Sequence, residues 1–201
     1  MKLIAISQRL VEEEKYFELR EALALDWGKL FSKENLFRDF LPFPLSYEIN
    51  FEKYKNNICA VILSGGNSLY CVDSNELSKK RDKYERKIIS HCIESKLPLL
   101  GICRGAQMIA HYFKSNIIKC DKHLNLHNVE MGDNIFIVNS FHNFCISKLG
   151  KNLIPLACSE NTIEAFKHEK YPIYGMMWHI ERENGLENKD ILKEWISNIK
   201  G

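Results

Sequence analysis

Leu99-Leu100-Gly101-Ile102-Cys103-Arg104-Gly105-Ala106-Gln107 reads as an apolar strand that turns into a helix through Gly-x-Cys-x-Gly. This is the cysteine counterpart of the nucleophile elbow, in which a reactive side chain sits on a sharp strand-to-helix turn. Glycines flank the position because a tight, crowded turn has no room for a Cβ on either side. The helix that follows aims its N-terminal dipole and free N–H groups at the sulfur, which favours an anionic nucleophile. A buried cysteine packed between two small residues has the same local pattern, so the rest of the chain has to decide.

Strands and helices alternate on both sides of the elbow. Residues 2–7 read as a strand and 12–30 as a helix, with Tyr16 and Trp27 at helical spacing on its core side. A short extended segment at 41–45 carries Pro42 and Pro44, which argues against a central strand. Residues 58–63 form a compact apolar run that empties into Ser64-Gly65-Gly66, and 82–95 read as a helix closed by Pro98. Beyond the elbow helix come short strand-like runs at 134–139, 154–158, 162–167 and 173–178, then an amphipathic helix at 191–199. This order predicts an α/β fold: an open, mostly parallel sheet flanked by helices, with an antiparallel β extension. Ligands gather at the carboxyl ends of the strands in such sheets, where Gly65-Gly66 and Cys103 both fall.

A cysteine nucleophile needs a base, and the base needs an orienting acceptor. Trp178-His179-Ile180-Glu181 supplies both. In extended backbone His179 and Glu181 share one face, so the carboxylate can fix the imidazole tautomer and steady the imidazolium. The chain order Cys103, His179, Glu181 separates this arrangement from α/β-hydrolases, where the acid precedes the histidine.

That order, together with the elbow, resembles the class I glutamine amidotransferase family, from Val61 nearly to the end of the chain. Gly65-Gly66 is similar to the family's oxyanion-strand loop, Cys103-x-Gly105-x-Gln107 to its nucleophile motif, and Trp178-His179-x-Glu181 to its terminal dyad. Arg81-Asp82-x-x-Glu85, Val138-Asn139-Ser140-Phe141-His142 and Ile163-Glu164-Ala165 are similar to segments of its γ-glutamyl hydrolase (peptidase C26) group. The resemblance implies hydrolysis of a γ-glutamyl C–N bond through a γ-glutamyl thioester, releasing L-glutamate. It implies an oxyanion hole from the backbone N–H groups of Gly66 and Arg104. It also implies a glutamyl site built from Gly65, Gln107, Asn139, Ser140, Phe141 and His142.

The chain departs from the group's pattern at Ile180, where proline is usual, and at Phe144, where glutamine is usual. Ser68 and Leu69 stand where an aspartate usually follows the glycine loop. The resemblance implies that Phe144, Ser68 and Leu69 lie near the leaving-group side, and their departures do not favour common small γ-glutamyl amines. The likeness extends instead to a nucleotide-linked substrate of bacterial capsule phosphoramidate biosynthesis, a cytidylylated glutamine phosphate whose hydrolysis gives cytidine diphosphoramidate. Two alternatives stand beside this reading: a glutaminase subunit that supplies ammonia to a separate synthetase, and a non-catalytic binding module on the same fold.

Composition bounds the remaining possibilities. A chain of 201 residues with 45% hydrophobic and 27% charged residues is expected to form one globular domain over residues 1–201. A net charge of +2 gives no case for a nucleic-acid or membrane partner, and the chain carries no signal for its oligomeric state. The N-terminus goes straight into strand-like residues without a signal-peptide pattern, so a cytoplasmic location is expected. Seven cysteines without a Cys-x-x-Cys pair are expected to be reduced thiols, mostly packed as small apolar groups. Cys120, His123 and His127 have metal-ligand spacing but number only three, so no metal and no cofactor is expected. Lys79-Lys80-Arg81 reads as a solvated helix start, with Arg81 available to a charged leaving group.

Overall fold

The computed structural model describes residues 1–120 and 124–200. Its strands are β1 (Lys2–Ile6), β2 (Arg9–Glu13), β3 (Glu18–Ala22), β4 (Phe40–Pro44), β5 (Ala60–Leu63), β6 (Leu99–Ile102), β7 (Asn116–Lys119), β8 (Leu124–Met131), β9 (Asn134–Phe141), β10 (Phe144–Lys148), β11 (Leu153–Ser159), β12 (Thr162–His168) and β13 (Ile173–Met176). Its α-helices are α1 (Leu25–Lys33), α2 (Glu76–Ser95), α3 (Arg104–Tyr112) and α4 (Asp190–Ser197).

Five parallel strands, in the order β4-β1-β5-β6-β13, form the half of the main sheet that carries the elbow. Antiparallel β12, β11, β8 and β9 continue it, while β10 and β7 branch from β12. The expected parallel sheet with an antiparallel extension is the fold that forms. The prolines of β4 sit on the edge, where a missing N–H costs no ladder bond.

Strand alternation sorts the core into two layers. Ile4, Ile6, Ile62 and Ile102 point to the side covered by Trp27 and Phe31 of α1 and by Leu192 and Trp195 of α4. Ala5, Val61, Leu63 and Leu99 point to the other, against Ile88 and Ile89 of α2 and Met108 and Ile109 of α3. Every residue of β5, β6 and β13 is buried, as strands covered on both faces must be.

The expected helix over 12–30 is corrected. Its first part is the β2–β3 hairpin, a separate two-stranded sheet with Arg9 paired to Ala22 and Glu13 to Glu18, and only α1 is helical. Tyr16 lies exposed at the hairpin turn, outside the core, whereas Trp27 is buried. The Glu- and Lys-rich run favours a helix locally, but Val11 and Leu19 gain cross-strand neighbours in the hairpin, and Phe17 takes the left-handed backbone the turn needs (φ 51°).

Candidate active site

Cys103 lies between β6 and α3 with φ 52° and ψ −108°, a conformation that costs an L-residue energy and is held only by its surroundings. The surroundings are tight: a Cβ on Gly105 would lie 2.0 Å from the Leu63 carbonyl oxygen. The Cys103 N–H donates to the Met176 carbonyl at 2.8 Å, which ties the elbow to the end of β13, where the histidine segment begins.

His179 stands on that segment. The extended face-sharing expected for His179 and Glu181 is corrected, because both follow β13 in a turn rather than continuing the strand. The turn nonetheless places the Glu181 carboxylate 2.7 Å from His179 Nδ1, with Trp178 and Ile180 buried behind. On its other side His179 shares with Cys103 the wall of one cavity. Burial alone would lower the imidazole pKa, but hydrogen bonds and charge from Cys103 and Glu181 outweigh it and raise the group to about 9. These partners favour the imidazolium form of the ring. Gly65 makes the space for it, since a Cβ there would lie 2.7 Å from His179 Cε1.

Asn139 does not line the cavity, contrary to its expected place in the glutamyl site. Its side-chain amide donates to the carbonyls of His179 (2.9 Å) and Glu183 (2.8 Å), and its oxygen accepts from the His179 N–H at 2.9 Å. It is a positioning residue for the histidine turn. Ser140 is likewise buried away from the cavity wall.

The cavity over Cys103 has a volume of about 300 Å³, and its walls include Gly66, Arg104, Gln107, Phe141, His142 and His179. Gln107 is fixed by donating to the Phe144 carbonyl at 2.9 Å. His142 is backed by Glu164, with its Nε2 3.8 Å from the carboxylate, and His127 Nε2 is 3.4 Å from the same oxygen. Burial would raise the Glu164 carboxyl, but hydrogen bonds from both histidines hold it down to about 2.

Beneath the elbow lies a charged frame. Arg81 is fully buried rather than solvated, which corrects the reading of the 79–81 run and removes it from the leaving group. It donates to the carbonyls of Ser64 and Gly65 (both 3.2 Å), to Asn67 Oδ1 (3.1 Å) and to Glu85 (3.0 Å). The Arg104 guanidinium is also buried and pairs with Glu85 and Asp82. Two cations thus meet two carboxylates and join the glycine loop to the elbow. Burial would raise Glu85, yet the two guanidinium groups hold it below the ordinary carboxylate range.

The cysteine expectation fails for one pair. Cys120 and Cys145 form a disulfide, brought together as β7 and β10 run antiparallel, while Cys59, Cys71, Cys92, Cys103 and Cys158 are free. Linear spacing does not reveal this pairing. Of the metal-spaced trio, Cys120 is in the disulfide and beside His142 (3.9 Å), His127 turns to Glu164, and His123 lies outside the described residues. Among the described residues no helix is long and apolar enough to cross a membrane.

Two residues that the motifs did not indicate reach the cavity mouth: Arg9 and Arg182. Isolated arginines near opposite ends of the chain carry no motif, so no sequence signal marks them.

Comparison with known proteins gives concordant findings. The model of the glutamine amidotransferase class-I family matches residues 39–199. A Campylobacter jejuni subsp. jejuni serotype O:2 protein, gamma-glutamyl-CDP-amidate hydrolase, is 61% identical over 198 residues, covering 98% of both chains. One subunit of the glutamine-hydrolyzing GMP synthase from Pyrococcus abyssi is 33% identical over 69% of this chain and 74% of its own. The crystal structure of a GMP synthase-like protein from Thermoplasma acidophilum superposes with a TM-score of 0.71 at 23% identity. It covers 99% of this chain and 94% of that one, which shows a shared fold.

Proposed function

Because the chain belongs to the class I glutamine amidotransferase family, we propose that it is a cysteine hydrolase converting γ-glutamyl-CDP-amidate and water to L-glutamate and cytidine diphosphoramidate. The C. jejuni relative's name supplies the substrate. The observation that carries the reaction is the Glu181 carboxylate 2.7 Å from His179 Nδ1, with His179 and Cys103 lining one cavity.

With its proton held by His179, the Cys103 sulfur attacks the γ-carbonyl carbon, and the carbonyl oxygen takes the negative charge. The backbone N–H groups of Gly66 and Arg104 receive that oxyanion; Arg104 opens α3, so its N–H has no acceptor within the helix. The C–N bond breaks as His179 gives its proton to the leaving nitrogen, which leaves the γ-glutamyl thioester on Cys103. His179, now neutral, takes a proton from water, the hydroxide displaces the sulfur, and glutamate departs. Glu181 holds the ring and its charge through both halves and moves no proton. The single domain expected over 1–201 holds every residue this reaction uses.

The test is glutamate release by the purified chain alone from γ-glutamyl-CDP-amidate and from L-glutamine. Unaided turnover that favours the nucleotide-linked compound supports the proposal. Turnover of glutamine only, dependent on an added synthetase, would instead make the chain an ammonia-supplying component of a larger enzyme.

A further inference from the structure

Arg9 and Arg182 stand at the mouth of the Cys103 cavity, and among the described residues lining it there is no Asp or Glu. Arg9 is exposed and, among the described residues, forms no ion pair. It is nonetheless held in place. Its neighbour Leu10 exchanges two hydrogen bonds with the Asn67 side chain (3.0 and 2.9 Å), and Asn67 accepts from buried Arg81. The Arg9 stem lies over Gly66, close enough that a Cβ there would be 3.0 Å from its Cγ and Cδ.

Arg182 is held from the other side. Its guanidinium carbon sits 4.5 Å above the centre of the Phe141 ring. The nearest acid, Glu181, is 3.9 Å from its Nε and is already bonded to His179 at 2.7 Å. Asp26 also lies within its field but pairs with Lys29 at 2.8 Å. Two guanidinium-bearing side chains therefore line the cavity with little anionic charge committed to them. An arginine fork matches phosphate oxygens in shape and charge.

We propose that Arg9 and Arg182 form a leaving-group subsite that clamps the diphosphate of a nucleoside-diphosphate-linked γ-glutamyl substrate. Both residues line the cavity that Cys103 also lines. Arg9 belongs to the β2–β3 hairpin and lies outside residues 39–199, which the family model matches. A ligand whose only anion is the glutamyl carboxylate leaves one of the two cations without a partner, whereas a diphosphate engages both. The subsite rests on the function proposed above and specifies how its substrate is recognised.

Two measurements on wild type, Arg9→Ala and Arg182→Ala separate the subsite from that function. The first is the ratio of kcat/KM for γ-glutamyl-CDP-amidate to kcat/KM for a γ-glutamyl anilide, whose leaving group carries no charge. Each substitution is expected to lower this ratio roughly 10- to 100-fold, the usual effect of losing a charge-assisted hydrogen bond. An unchanged ratio, with both substrates losing equally, would mean the arginines hold the glutamyl carboxylate and would overturn the subsite. The second is calorimetric binding of CDP and of inorganic pyrophosphate, which needs no turnover. Both probes should bind wild type and weaken by a similar factor in each variant. Tighter binding of CDP than of pyrophosphate would add a nucleoside contact, and equal binding would confine recognition to the diphosphate. If γ-glutamyl-CDP-amidate is not cleaved while both probes still require the arginines, the function falls and the anion subsite stands. If it is cleaved and neither variant alters ratio or binding, the function stands and the subsite falls.

Discussion

Two groups of charge meet at Cys103, and their difference separates architecture from recognition. Below the elbow, Arg81, Asp82, Glu85 and Arg104 are paired and almost wholly buried, and their hydrogen bonds reach the glycine loop. Above it, Arg9 is exposed, Arg182 is half-buried, and both are nearly free of carboxylates. Charges that satisfy one another inside a fold fix geometry, and charges left facing a cavity await a ligand. The imidazolium of His179 lies between the two groups and belongs to neither.

The sharpest break is at the point of contact. Cys103→Ala should lower turnover by about four or more orders of magnitude, because the nucleophile and its histidine act as a unit. Circular dichroism and the unfolding midpoint should stay near wild type, since the Cβ is retained. Next comes the frame: Glu85→Ala leaves two buried guanidinium groups short of a partner and should cost about 3–5 kcal/mol in urea unfolding. A cost below about 1 kcal/mol would show that the frame does not fix the elbow.

The histidine gives a third, pH-dependent contrast. Its folded pKa of about 9 stands above the ordinary 6.5, so its pairing stabilises the protein fully below pH 6.5 and is lost as pH rises through 9. Turnover should therefore decline on the alkaline side near pH 9, where no proton remains for the leaving nitrogen. Glu181→Gln removes a partner that raises the pKa and should move that decline to lower pH, with less loss of rate than His179→Ala. Buried Glu164, held near 2, has the opposite sign: its contribution is present above the ordinary 4.5 and lost as pH falls toward 2. The smallest effect belongs to the rim. Arg9→Ala should change unfolding free energy by no more than about 0.5 kcal/mol, since the side chain is exposed and forms no ion pair among the described residues.

How far these regions are legible in the sequence follows their physics. Cys103 and its glycines announce the elbow because a strained turn with no room for a Cβ leaves local marks. His179 and Glu181 are legible because they are two residues apart, although a turn and not a strand brings them together. Arg81 reads as solvated because its partners Ser64, Gly65 and Asn67 approach only when β5 lies beside α2. The hairpin is hidden by its helix-favouring Glu and Lys residues, and Arg9 is hidden with it. The Cys120–Cys145 bond depends on the β7–β10 pairing, which no local signal carries. Local constraint leaves a motif, and convergence of distant residues does not.

The central claim, covalent catalysis by Cys103, is tested most directly by mixing the protein with γ-glutamyl-CDP-amidate and quenching in acid within a single turnover. Intact and peptide mass spectrometry should find a γ-glutamyl group on the Cys103 peptide that appears and decays at the rate of glutamate release. Complete conversion with no adduct at any quench time, or with an adduct on another residue, would contradict it.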